Sequence, residues 1–179
     1  MRVLMILIPE SGAPGSKNDP AVRFGRAVGP YYAFRDAGVE VVLASPDGGS
    51  PLMDVAGHGE ASTETLQRFK RDKMAIDEFS DTLSLDQVFT DDFDAAFCVG
   101  LPGSIWRPAH GSSAGALISR LLEAGKPVAV LPSGVDLAPK GTGEGLLIVG
   151  DGSKAPNFAA EALMSAIRQY KIKPERNAS

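Results

Sequence analysis

At 179 residues, with 44% of them hydrophobic and a formal net charge of -4, the chain can form one domain with a substantial core, and it lacks the concentrated positive charge that would make nucleic acid or an anionic membrane its main partner. A single cysteine, Cys98, excludes an internal disulfide framework, and the two isolated histidines, His58 and His110, have no metal-ligand spacing. No metal or other cofactor is expected, and a reducing cytoplasm fits the cysteine usage.

The first apolar run, Val3 to Ile8, is too short for a signal-peptide core or a membrane span and reads as a buried strand. Ala21 to Ala37 carries Tyr31, Phe34 and further apolar residues at helical spacing and stops at Gly38, so it predicts a helix. "VEVVLAS" is the second strand. In "SPDGGSPLMDVAGHGE" the Pro and Gly signals predict a turn and a short extra strand. "STETLQRFKRDKMAIDEFSDTLSL" reads as one or two surface helices with Leu66, Phe69, Met74 and Ile76 facing inward and the mixed charges on a solvated face. "FDAAFCVG" is a further strand, Ser113 to Ala124 a helix ending at Gly125, and "KPVAVLP" and "GLLIVG" the last strands. Asn157 is the expected N-cap of a final helix through Tyr170. Residues 1–170 are expected to form a single domain and 171–179 a polar tail.

Strands with nearly continuous apolar character, alternating with helices, imply a mainly parallel α/β sheet covered on both faces. In such sheets ligands collect at the carboxyl ends of the strands. That rule gathers the loops "PESGAPGSKNDP", "SPDGG", "GLPGSIWRP" and "PSGVD" around one candidate pocket, beside the start of the first helix.

Within "KPVAVLPSGVDL" the small residues Ala129 and Ser133 flank Leu131 at the spacing of a nucleophile elbow, which places the unreactive Leu131 at the apex of a sharp turn. Leu131 is read either as a contact in a repurposed pocket or as filler for the space a reactive group would take, the second being the commoner fate of a buried leucine. Arg23, Arg26 and Arg107 are candidates for binding a small anion, because guanidinium forks suit carboxylate and phosphate; the plainer reading pairs each with a carboxylate such as Glu10 or Asp136. Ser133 with Asp136 has no assigned general base, and Cys98 lies inside a strand as a structural thiol. His58 and His110 read as surface residues, with His110 able to approach the pocket rim. "GHGE" and "GTGEG" lack the strand-to-helix context of a phosphate loop and are read as turns.

The stretch "VGPYYAFRDAGVEVVLASPDGGSPLMD", together with "LQRFKRD", "DDFDAAFCVG", Trp106 in "GSIWRP" and "AGKPVAV", resembles the DJ-one/ThiJ/PfpI superfamily in the branch similar to class I glutamine amidotransferases, over most of residues 1–138. The resemblance implies a flavodoxin-like three-layer α/β sandwich and a homodimer. It also implies a site that this chain has altered. Where relatives carry Cys-His-Gly or Cys-His-Ala after a strand ending in Ala-Val, Leu131 is matched to the cysteine and Pro132 to the histidine. Arg26 stands at the family's acidic position, four residues before the proline of "PYY". In "VGLPG", Leu101 and Pro102 replace the second glycine and the histidine of Pro-Gly-Gly-His-Gly, and Arg107 follows Trp106 where relatives often have aspartate.

Leucine is no nucleophile, arginine cannot accept the hydrogen bond the acid would take, and proline lacks the N–H an oxyanion would need. The cysteine-dependent chemistry is therefore expected to be absent, leaving a pseudoenzyme that binds a small anionic molecule or a protein at a pocket of Glu10, Arg23, Arg26, Gly103, Trp106, Arg107, Ser133 and Asp136. The alternatives are an enzyme with relocated hydrolase or lyase chemistry using Ser133, Asp136, His110 or Arg26, and a structural subunit. The last draws on the sheet edge, because "APKGTGEGLL" is much shorter than the insertion relatives carry there.

Overall fold

The computed structural model describes residues 1–9, 22–54, 63–101, 113–132, 147–149 and 155–172. In chain order these form β1 (Arg2–Leu7), β2 (Val22–Arg23), α1 (Phe24–Asp36), β3 (Glu40–Ser45), β4 (Asp47–Gly49), β5 (Met53–Asp54), α2 (Thr63–Arg71), α3 (Lys73–Ser80), β6 (Thr82–Ser84), β7 (Ala95–Leu101), α4 (Ser113–Glu123), β8 (Val128–Pro132), β9 (Leu147–Val149) and α5 (Ala155–Ile172). Seven strands make the main sheet in the order β4-β6-β3-β1-β7-β8-β9, all parallel except for β4, and β2 pairs with β5 separately. Helices cover both faces, so the expected α/β sandwich with a mainly parallel sheet is the observed fold.

The strand period of two sorts the core into two layers. Val3, Met5 and Leu7 of β1, Ala95, Phe97 and Val99 of β7, and Ala129 and Leu131 of β8 join the apolar faces of α1 and α5. Leu4, Ile6, Ala96, Cys98, Val128 and Val130 point the other way, onto α4. Because both faces are covered, Val3 to Leu7 are all fully buried, and this is why the sequence shows an unbroken apolar run.

Chain direction changes at β1. The chain passes from β1 through α1 to β3 on one side, and later crosses to β7 on the other. The crevice between β1 and β7 is thus the topological switch point. A helix that returns to a parallel neighbour begins at the carboxyl edge of the sheet, so the start of α1 lies at that edge.

Several boundaries differ from expectation. The first helix begins at Phe24, after the two-residue strand β2, and the final helix begins at Ala155, so Asn157 lies inside it instead of capping it. The segment after Ser45 holds two short strands, β4 and β5, where one was expected. Thr82–Ser84, read as helix, is strand β6, whose neighbours β3 and β4 override local sequence preference. Met74 and Ile76 are 58% and 37% exposed, not inward. The apolar periodicity restarts at Asp72, whose side chain caps α3 by accepting from Ala75 N at 3.1 Å, and Ala75 and Phe79, one turn apart, become the buried pair.

Strand β4, "DGG", shows how closely backbone packs at this edge. Gly48 and Gly49 both have positive φ, +75° and +66°, but a Cβ on Gly48 would lie 2.9 Å from the Ser84 backbone nitrogen while one on Gly49 would meet open space. Gly49→Ala is expected to cost only the left-handed backbone penalty, about 1 kcal/mol. Gly48→Ala adds a backbone clash and is expected to cost about 3 kcal/mol. Urea unfolding of the two variants checks this, and equal midpoints would contradict it.

Candidate functional site

The carboxyl edge at the switch point is built from the ends of β1, β7 and β8. Ile8 N donates to Val99 O at 2.9 Å, which extends the β1–β7 ladder past Leu7. Val99 then pairs with Leu131 and Leu101 with Pro132, so Gly100 is an extra residue in β7. Its φ of +85° is open to glycine and costly for other residues. Gly100 is a feature that sequence reasoning passed over; a glycine ending an apolar strand just before a proline-containing loop was the available signal.

Strand β8 continues through Pro132, which corrects the expectation of a turn with Leu131 at its apex. Leu131 is a strand residue, 0% exposed, facing the layer that contains Phe24, Ala27 and Val28 of α1. A fully buried leucine contributes roughly 1.5–3 kcal/mol of apolar transfer energy, and its side chain is out of reach of any ligand at the edge.

Arg23 and Arg26 sit at the start of α1, on either side of the buried Phe24 and Gly25. The strand β2 that carries Arg23 lies against β7. Both side chains are partly buried, with their Nε atoms removed from solvent, and each is engaged within the chain. The structure therefore brings Arg23, Arg26, Leu101, Leu131 and Pro132 to one region of the fold, with Leu101 and Pro132 placed by backbone alone. Glu10, Pro102, Gly103, Trp106, Arg107, Ser133 and Asp136, and both histidines, lie outside the described residues.

The helix that presents the arginines is anchored at its other end. Tyr31 Oη donates to Glu78 Oε2 at 2.7 Å, Arg35 Nη1 donates to Tyr31 Oη at 2.8 Å and to Glu78 Oε1 at 3.0 Å, and Tyr32 Oη donates to Asp72 Oδ2 at 3.2 Å. Arg68 forks onto Asp36 at 2.7 and 2.6 Å and lies 3.9 Å over the Tyr32 ring. Edge-to-face contacts between Phe24 and Phe69, at 5.0 Å, and between Tyr31 and Phe79, at 5.2 Å, complete the join. Each aromatic pair adds about 0.5–1.5 kcal/mol beyond its buried area, more than the exposed Arg68–Asp36 pair returns at roughly 0.2–1 kcal/mol.

Electrostatics follows this geometry. Burial, helped by hydrogen bonding to Glu78, pushes the Tyr31 hydroxyl well above the ordinary phenol range. Arg68 holds Asp36 below the ordinary carboxylate value. Burial alone raises the Cys98 thiol, so Cys98 is neutral and enclosed in the α4 layer, unsuited to nucleophilic work. Among the described residues there is no cluster of three or more His, Cys, Asp or Glu side chains fit to hold a metal, and no helix long and apolar enough to cross a membrane.

Solved structures of low sequence identity share this fold. The 24 kDa rapid encystment protein of Francisella tularensis is 11% identical, with 93% of this chain and 98% of that one covered at a TM-score of 0.67. Glyoxalase III of Candida albicans is 14% identical, with 93% and 97% covered at 0.66. A ThiJ/PfpI domain protein of Brachyspira murdochii is 12% identical, with 94% and 96% covered at 0.59. These likenesses establish the flavodoxin-like fold of the ThiJ/PfpI structures. No family model matches the chain, and no curated protein matches it in sequence.

Burial and the Asp72 carboxylate push the Tyr32 hydroxyl up to about 12. An unfolded tyrosine titrates near 10, so folding favours the neutral phenol; its contribution is complete below about pH 10 and is lost as pH rises through about 12. Tyr32→Phe is expected to flatten the fall in stability over that alkaline window, measured by urea unfolding at stepped pH. An unchanged slope would show that Tyr32 is not among the groups titrating there.

Proposed function

We propose that this chain is a non-catalytic member of the DJ-one/ThiJ/PfpI group, acting as a cytoplasmic homodimer that binds a small anionic molecule at the β1–β7 switch point. The observation that carries the reading is the continuation of β8 through Pro132 with Leu131 enclosed in the core. With Leu131 inside β8, the family's Cys-His-Gly is better matched in sequence to Pro132-Ser133-Gly134, with Val130-Leu131 standing for Ala-Val. Both registers lack the nucleophile: Leu131 has only an alkyl side chain, and Pro132 has neither a reactive side-chain atom nor a backbone N–H.

A binding role is supported by Arg23 and Arg26, residues at the start of α1, the end of the helix next to the edge where open α/β sheets hold ligands. An arginine at the family's acidic position reverses the local charge and so favours an anion over the proton-transfer role of a carboxylate. Each guanidinium would have to share or exchange its present contact, which selects for ligands with a fork-shaped anionic group such as carboxylate or phosphate.

Two measurements test this. A panel of small carboxylates and phosphate esters is screened by thermal melting; a true ligand at about 100 times its Kd stabilises the fold by about 2.7 kcal/mol, and that shift disappears in Arg26→Ala. A panel without a shift, or a shift that Arg26→Ala leaves intact, removes the pocket assignment. Glyoxalase activity, named for the Candida neighbour, is expected to equal the protein-free blank. Turnover above the blank that scales with protein concentration would overturn the non-catalytic reading.

A further inference from the structure

A thioether holds a place in the join between α1 and α3 that a stronger acceptor would fill. Arg35 Nη1 donates to Tyr31 Oη and Glu78 Oε1, whereas Nη2 donates to Met74 Sδ at 3.3 Å. A guanidinium is a charged donor and a thioether a weak acceptor, so the contact with Met74 returns less than the bonds to Tyr31 and Glu78. Met74 stands in the first turn of α3 and is 58% exposed, so an oxidant can reach its sulfur and little apolar contact is lost if the side chain turns polar. Met5 and Met164, by contrast, are enclosed in the core.

We infer that Met74 is a reversible oxidation site whose sulfoxide strengthens the α1–α3 join by accepting a charge-assisted hydrogen bond from Arg35. The oxidant is a peroxide. The Sδ lone pair attacks one peroxide oxygen, and the S–O bond forms as the O–O bond breaks. With hydrogen peroxide, the proton of the attacked oxygen passes to the departing hydroxide, which leaves as water; sulfur loses two electrons and the peroxide gains them. The sulfoxide oxygen is a far stronger acceptor than the thioether, and it forms beside a guanidinium already within hydrogen-bond range. Because Met74 is exposed, its side chain can swing outward to seat the added oxygen against Nη2. Oxidation of a buried methionine disrupts the core around it, so the gain belongs to Met74 and not to Met5 or Met164.

Arg35 lies in the last turn of α1, away from Arg23 and Arg26 at its start, so the inference is independent of the switch-point pocket. Full-length protein is treated with dilute hydrogen peroxide, its oxidised methionines are located by peptide mass spectrometry, and its melting temperature is compared with that of untreated protein. Met74 is expected to be oxidised while Met5 and Met164 are unmodified, and the melting temperature to rise by about 2 °C. Methionine sulfoxide reductases acting on both epimers are expected to return it to the starting value. Met74→Leu keeps Met1 and Met53, so it reads the effect of their oxidation alone, and it is expected to show no rise on treatment. Arg35→Ala melts lower from the start because the bonds to Tyr31 and Glu78 are lost, but its treated and untreated forms are expected not to differ by the same rise. The inference falls if Met74 is oxidised no faster than the buried methionines, if treated wild-type protein melts at or below the untreated temperature, or if either variant gains as much as the wild type on treatment.

Discussion

The ladder that β1 makes with β3 on one side and β7 on the other is what the rest of the fold answers to. Arg2 to Ile6 pair with Glu40 to Ala44, and Val3 to Leu7 with Ala95 to Val99, so nearly every residue of β1 has two backbone neighbours and a side chain sealed under helices. A one-residue slip would exchange Val3, Met5 and Leu7 for Leu4 and Ile6 between two layers of different volume, which fixes the register. With β1 fixed, α1 must start at the carboxyl edge, and β7 and β8 must end beside it.

Helix α1 then serves two surfaces at once. Its first turn brings Arg23 and Arg26 to the edge of the sheet, and from Tyr31 onward it supplies hydroxyl, guanidinium and carboxylate groups to α2 and α3. The aromatic contacts supply most of the attraction and the polar bonds set the orientation, because exposed ion pairs are weak while the hydrogen bonds of Tyr31 and Tyr32 are directional. Gly29 faces α5, where an added Cβ would meet only the tip of the exposed Asn157 side chain, 2.7 Å from its Oδ1. The same helix thus joins α2, α3 and α5 to the edge that carries the candidate site.

The parallel sheet was legible because burial on both faces writes itself as unbroken apolar runs, and the helix ends at Gly38 and Gly125 because positive φ, +72° and +73°, demands glycine. The short strands β2, β5 and β6 were not, since two or three residues carry no periodicity and pair only through neighbours distant in sequence. Met74 misled for a related reason: its Sδ lies 3.3 Å from Arg35 Nη2, so an apolar residue on a charged rim has a contact that hydropathy does not encode. At the site, the position of Arg26 in a helix was foreseeable, whereas the course of β8 through Leu131 and Pro132 depended on its pairing with β7.

The course of β8 also bears on the non-catalytic reading proposed above. A nucleophile elbow keeps a residue strained and exposed at the end of a strand, and that strain persists only while the surroundings enforce it for the sake of chemistry. In this chain β8 runs on through Leu131, whose side chain is buried in the layer with α1 and adds to core stability. Pro132, paired with Leu101 beyond the Gly100 insertion, lacks the N–H that a ladder bond from its own nitrogen would need. On the proposed reading, a nucleophile at this edge would need both a reactive side chain in place of Pro132 and an acid in place of Arg26.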